Sequence, residues 1–139
     1  MSSEPLANLV RAGKLKAEPP SRKELEGLLK RGHALLADSQ RGLSLDGRFD
    51  LIYGAAYAFS LAALRWSGYR SESRYLVFQC LPHTLGLRPE HWRLLALCHE
   101  RRNEMTYEGL FNFDERLLAE LLAATEVVEA KVTALPNPT

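Results

Sequence analysis

The chain has 139 residues, 46% of them hydrophobic and 25% charged, with a net charge of +1. That is the make-up of one globular domain long enough to bury a core, and it excludes a disordered polar chain and a uniformly basic nucleic-acid binder. The charge is unevenly spread: residues 1–103 hold 16 Lys/Arg against 10 Asp/Glu, and residues 104–139 hold 2 against 7. The last helix should therefore be acidic and lie on basic neighbours, and the basic part leaves room for a phosphate-binding surface.

Residues 1–20 read as an N-terminal extension, a short helix of one or two turns around Leu6, Leu9 and Val10 or no regular structure, closed by Pro19-Pro20. Ser21-Arg-Lys-Glu24 is a capping box opening a helix near 21–39, with Leu25, Leu28, Leu29, Leu35 and Leu36 inward and an end near Ser39–Gly42. Ser44-Leu-Asp-Gly starts a second helix near 47–67. Its apolar face holds Phe49, Ile52, Tyr53, Ala56, Phe59, Ala63 and Leu64, and Ala55, Ala58 and Ala62 add small residues. Gly68 ends it in a left-handed position, and Tyr69-Arg70-Ser71 is a connecting loop. A third helix near 73–85 turns Leu76, Val77, Cys80, Leu81 and Leu85 inward, kinked or shortened by Pro82 and closed by Gly86. Pro89 opens a fourth helix, near 89–108, as a first-position proline. Asn112-Phe-Asp-Glu115 opens a fifth, near 113–134, carrying Leu117, Leu118, Leu121, Leu122, Val128 and Val132, before a frayed tail at 136–139. No alternating β-branched run interrupts this pattern. The expected fold is all-α, an antiparallel bundle of four to five helices forming one domain over 21–135.

No apolar run is long enough to span a bilayer, and Met1-Ser-Ser-Glu-Pro has neither the basic start nor the apolar run of a signal peptide. Cys80 and Cys98 then read as free buried thiols of a cytoplasmic protein. No phosphate-cradling Gly-rich loop, nucleophile elbow or HExxH motif occurs. Cys98, His99 and His91 do not make a tetrahedral set on one face, so no metal or other cofactor is expected. His33 and His83 read as solvated, Cys80 has no thiolate-stabilising neighbour, and Tyr53, Tyr57, Phe59 and Trp66 read as core.

The remaining chemistry lies in Cys98-His-Glu-Arg-Arg-Asn-Glu-Met-Thr-Tyr-Glu108. From an inward Trp92, helical steps of about 3.6 residues put Leu95/Ala96, His99, Arg102/Asn103 and Thr106 on one face. That stripe turns from apolar to cationic. An inward guanidinium needs either a carboxylate from another helix or a cleft that receives it. In the first case Arg102 is architectural and the protein a noncatalytic adaptor. In the second, Arg102 grips a phosphate bidentately, with Asn103 holding it and Tyr107 reaching the same cleft.

At these residues the chain resembles the HEPN family, small helical domains named for higher eukaryotes and prokaryotes nucleotide-binding. Arg102-Asn-Glu-Met-Thr-Tyr107 has the spacing of the family's Arg-x4-His motif, with Tyr in the His position. Arg48-Phe-Asp-Leu-Ile-Tyr-Gly-Ala-Ala-Tyr57, Ala62-Ala-Leu-Arg65, Gly68-Tyr-Arg70 and Phe78-Gln-Cys-Leu-Pro-His-Thr-Leu-Gly86 look like the second helix, the following loop and the third helix of a bacterial subgroup, and the likeness spans about 21–132. The resemblance implies a homodimer that joins two Arg motifs in one cleft, RNA or nucleotide as ligand, metal-independent ribonuclease activity in many members, and a nucleotidyltransferase-type antitoxin as partner in some. It assigns Arg102, Asn103 and Tyr107 to the catalytic site; His99, on the same face, joins them as a candidate, and Arg101 and Arg70 are expected to add phosphate-binding charge. A phenol titrates near 10 and a free imidazole near 6.5, so Tyr107 is a poorer acid or base at neutral pH, which puts cleavage in question, and His99 is one candidate to stand in.

Overall fold

The computed structural model describes residues 4–41 and 44–137. Met1 to Ser3, Gly42, Leu43, Pro138 and Thr139 lie outside it. So do the expected start of the chain, the tail's last two residues and the helix stop at Gly42. The described residues form α1 (Glu4–Arg11), β1 (Lys16–Ala17), α2 (Arg22–Ser39), α3 (Leu45–Trp66), β2 (Tyr69–Arg70), α4 (Arg74–Gln79), α5 (Leu81–Thr84), α6 (Pro89–Glu108) and α7 (Glu115–Thr133). The fold is an all-α bundle.

Local chemistry sets the ends. Ser21, Ser44, Ser73 and Asp114 each accept a backbone N–H three residues on, so α2, α3, α4 and α7 start where a short polar side chain satisfies an orphan donor. Pro89 takes the first position of α6, where no N–H is needed. Gly68, Gly86 and Gly109 have positive φ; Gly109 ends α6 in the left-handed conformation.

Helix α3 is the axis. It packs most extensively on α2 and α7 and also touches α4, α5 and α6. Phe49, Ile52, Tyr53, Phe59 and Leu64 are buried, and Ala55, Ala56, Ala58, Ala62 and Ala63 are at most 2% exposed. The small-residue face is thus covered by the chain's own helices. Helices α2 and α3 approach closely at Gly32. A Cβ there would lie 2.5 Å from the Phe59 ring.

Three expectations need correction. The third helix is two pieces, α4 and α5, because Pro82 at the second position of α5 has no N–H to carry the ladder across Cys80. Residues 69–70 are not simply a loop: they pair antiparallel with β1, Lys16 opposite Arg70 and Ala17 opposite Tyr69. A two-residue ladder is too short to leave an alternating pattern. His33 is not merely solvated: its Nδ1 lies 2.7 Å from a Glu129 carboxylate oxygen on α7, and its ring meets the Phe59 edge at 5.1 Å between centroids. With Arg48–Glu115 at 2.7 Å, this ties acidic α7 to α2 and α3.

The buried guanidinium is Arg65, 1% exposed and the largest fully buried side chain. Its Nε donates to Glu24 at 2.8 Å, Nη1 to the carbonyls of Glu18 at 3.0 Å and Tyr69 at 3.2 Å, and Nη2 to the carbonyl of Pro19 at 2.8 Å, with Glu18 Oε2 3.3 Å away. All its donors find acceptors, which makes burial of the charge tolerable. Glu24 therefore does not close the capping box; its carboxylate takes Arg65 and Arg70 instead. Through these bonds the N-terminal segment is fastened to α2, α3 and β2, while Leu6 and Leu15 pack with Leu64, Val77 and Cys80 in a second small core.

Candidate functional site

Helix α6 presents His99, Arg102 and Asn103 to the α3–α4 side of the bundle. His99 lies half-buried against three aromatic rings: Tyr53 at 6.2 Å, Phe78 at 6.3 Å and Tyr75 at 5.8 Å between centroids. Its Nδ1 is 2.8 Å from the Tyr53 hydroxyl, and its Nε2 is 3.2 Å from Asn103 Nδ2. With the amide assigned that way, Asn103 donates to Nε2 and Nδ1–H donates to the Tyr53 oxygen, which is the neutral tautomer. Burial, reinforced by the positive charges of Arg102 and Arg74, holds the imidazole pKa below its ordinary value. His99 is therefore unprotonated at neutral pH.

Arg102 is half-buried, its guanidinium carbon 5.2 Å from the centre of the Tyr53 ring. No carboxylate lies within 4.0 Å of it among the described residues. Asp50, exposed on α3, is the nearest acidic influence, and the Arg102 charge offsets part of the rise that dehydration gives the Asp50 carboxyl. Arg74, at the start of α4, stacks on Tyr57 at 4.6 Å and reaches the Tyr53 hydroxyl, and it has no ion-pair partner among the described residues. Tyr53 is 1% exposed, and burial raises its pKa against the pull of both arginines, so the phenol stays protonated. Two like charges thus approach one tyrosine and one neutral histidine, with no ion pair to either among the described residues, an arrangement that favours an anion.

The other candidate residues are placed differently. Tyr107 lies one turn beyond Asn103 on the same side of α6 and is 80% exposed. Arg101 pairs with Glu104 at 3.4 Å on its own helix. Arg70 is held by Glu18 Oε2 at 2.9 Å and Glu24 Oε2 at 2.6 Å, and it borders an open cavity of about 810 Å3 with Lys14, Lys16 and Ser73. Sequence periodicity brought His99, Arg102 and Asn103 together. It did not bring in Tyr53, Arg74 and Tyr75, which come from other helices.

Among the described residues no three His, Cys, Asp or Glu side chains converge as a metal site requires. Cys80 and Cys98 are free and buried, and burial pushes their thiols up to about 11 and about 12, so neither serves as a nucleophile at neutral pH. No described helix is long and apolar enough to cross a membrane. No family model matches the chain, and no curated protein or solved structure matches it either.

Proposed function

We propose that the chain is a HEPN-like protein that binds RNA or nucleotide phosphate at Arg102, acting in the cytoplasm as a toxin–antitoxin or defence component. The observation that supports this best is a half-buried guanidinium with no carboxylate partner, braced on Tyr53 beside a neutral histidine. Such a guanidinium can take a phosphodiester bidentately and stabilise charge developing on it. His99 is the candidate general base, but Tyr53 and Asn103 occupy both its nitrogens, so cleavage requires Asn103 to release Nε2. Arg101 and Arg70 are engaged by carboxylates, and we assign them to architecture rather than to phosphate.

The homodimer belongs to the same proposal. Its support is the apolar end of α6 and the following loop, where Tyr107, Leu110 at 46% and Phe111 at 60% are exposed. A dimer through this end would bring Tyr107 to the partner's motif. The same patch favours the second reading, a noncatalytic adaptor that docks another protein there. A nucleotidyltransferase-type antitoxin is the partner the toxin reading proposes.

The test is incubation of labelled single-stranded RNA with the protein in EDTA, with Arg102→Ala and Asn103→Ala beside it. Cleavage lost in Arg102→Ala identifies a metal-independent ribonuclease. Binding without cleavage, again lost in Arg102→Ala, identifies a binding module. Neither binding nor cleavage by the parent leaves the adaptor.

A further inference from the structure

We infer that Arg74 and Tyr75, at the start of α4, complete the Arg102 site as a second phosphate-binding cation and a stacking platform for an unpaired base. The site's ligand is then a nucleotide or single-stranded nucleic acid. This rests on the phosphate-binding reading of Arg102 and names what that phosphate carries.

Arg74 and Arg102 reach the cluster from different helices. One lies against the Tyr57 ring and the Tyr53 hydroxyl, the other over the Tyr53 ring. Both have a positive influence on His99, and neither has an ion pair among the described residues. Stacking on tyrosine faces fixes each guanidinium plane and leaves N–H edges free for an anion. Two such cations around one phosphate favour it over any neutral ligand. Tyr75 follows Arg74 directly, is 37% exposed and sits 5.8 Å from the His99 ring at a tilt of 44°. An exposed ring beside a cationic pair is what a flat base recognises, because every base offers a π-face whatever its sequence. A base inside a duplex has both faces covered, so the ligand is unpaired.

The experiment measures affinity of the full chain for adenosine monophosphate, hexaadenylate, a blunt RNA duplex and ribose 5-phosphate, with Tyr75→Ala, Tyr75→Phe and Arg74→Gln. Tyr75→Ala should weaken hexaadenylate and adenosine monophosphate roughly 5- to 150-fold, leave ribose 5-phosphate unchanged, and be rescued by Tyr75→Phe. Arg74→Gln should weaken all three. Equal affinity for the monophosphate and the hexamer assigns the site to free nucleotides, and a tighter hexamer assigns it to a strand; both fit the inference. Adenylate binding insensitive to Tyr75→Ala, phosphate binding insensitive to Arg74→Gln, or a duplex bound as tightly as the hexamer overturns this inference and leaves Arg102 as the phosphate site. A parent that binds neither adenylate nor ribose 5-phosphate overturns both.

Discussion

At the scale of single residues, the molecule separates two arginines by what surrounds them. Arg65 is enclosed by acceptors on all its donors, and Arg102 lies on a tyrosine face with no ion-pair partner among the described residues. Arg65→Met should therefore cost about 3–5 kcal/mol, since it strands the carbonyls of Glu18, Pro19 and Tyr69 and leaves Glu24 with Arg70 as its one cation. A urea midpoint unchanged by that substitution would refute the assignment. Arg102→Ala removes a contact of about 0.5–1 kcal/mol and should barely move the midpoint. The general rule, that an inward guanidinium demands a partner, was legible in the sequence, but periodicity attached it to Arg102. Apart from the Tyr69 carbonyl, the partners of Arg65 lie more than 40 residues away, in the polar stretch 18–24 where no apolar periodicity points to it. His99 makes a separate prediction in pH. Its folded pKa lies below the ordinary value of about 6.5, so above that pH the ring is neutral in both folded and unfolded chains and contributes no slope. As pH falls through about 6.5, the unfolded chain takes the proton first and stability declines towards the folded pKa. His99→Gln should flatten that decline.

At the scale of elements, caps and glycines made the long helices readable. Ser44, Pro89, Gly68 and Asp114 each mark a terminus by a hydrogen bond given or withheld. In the N-terminal segment the short helix around Leu6, Leu9 and Val10 was readable and is α1, but its attachment was not, because a two-residue ladder and an arginine latch leave no periodic pattern. Burial alone would raise the Glu24 carboxyl, but hydrogen bonds from Arg70 and Arg65 outweigh it and hold the pKa down; the Arg70 bond does the same for Glu18. Depressed carboxylates stabilise the fold above their ordinary value of 4.5, and that stability is lost as pH falls through the folded values. Glu24→Gln should therefore remove part of the acid-side slope below 4.5 and speed amide exchange at Lys16 and Ala17 before it affects α3. Exchange that stays slow there would show that the apolar contacts of Leu6 and Leu15 suffice. On α2, Gly32→Ala drives a methyl into the Phe59 ring and should cost about 1–3 kcal/mol, measured by thermal melting.

At the scale of the whole molecule, α3 is sheathed by its neighbours, so apolar surface for association must come from the helix ends. Phe111→Asp should turn a dimer into a monomer in light scattering while leaving the melt unchanged; a parent that is already monomeric at tens of micromolar removes the dimer from the account. The site follows the same logic. One helix carries His99, Arg102 and Asn103, and the bundle supplies the rings and the second cation that no stretch of sequence displays together. The most direct test of the central claim pairs two readouts on two proteins: fluorescence anisotropy with a single-stranded oligoribonucleotide, and a thermal melt, on the parent and on Arg102→Ala. The parent should bind, Arg102→Ala should weaken binding by a similar factor for every sequence tried and lower the slope of log affinity against log salt by about 0.7, and the two melts should coincide. A melt that collapses in Arg102→Ala, with no RNA bound by the parent, would contradict it and make Arg102 architectural.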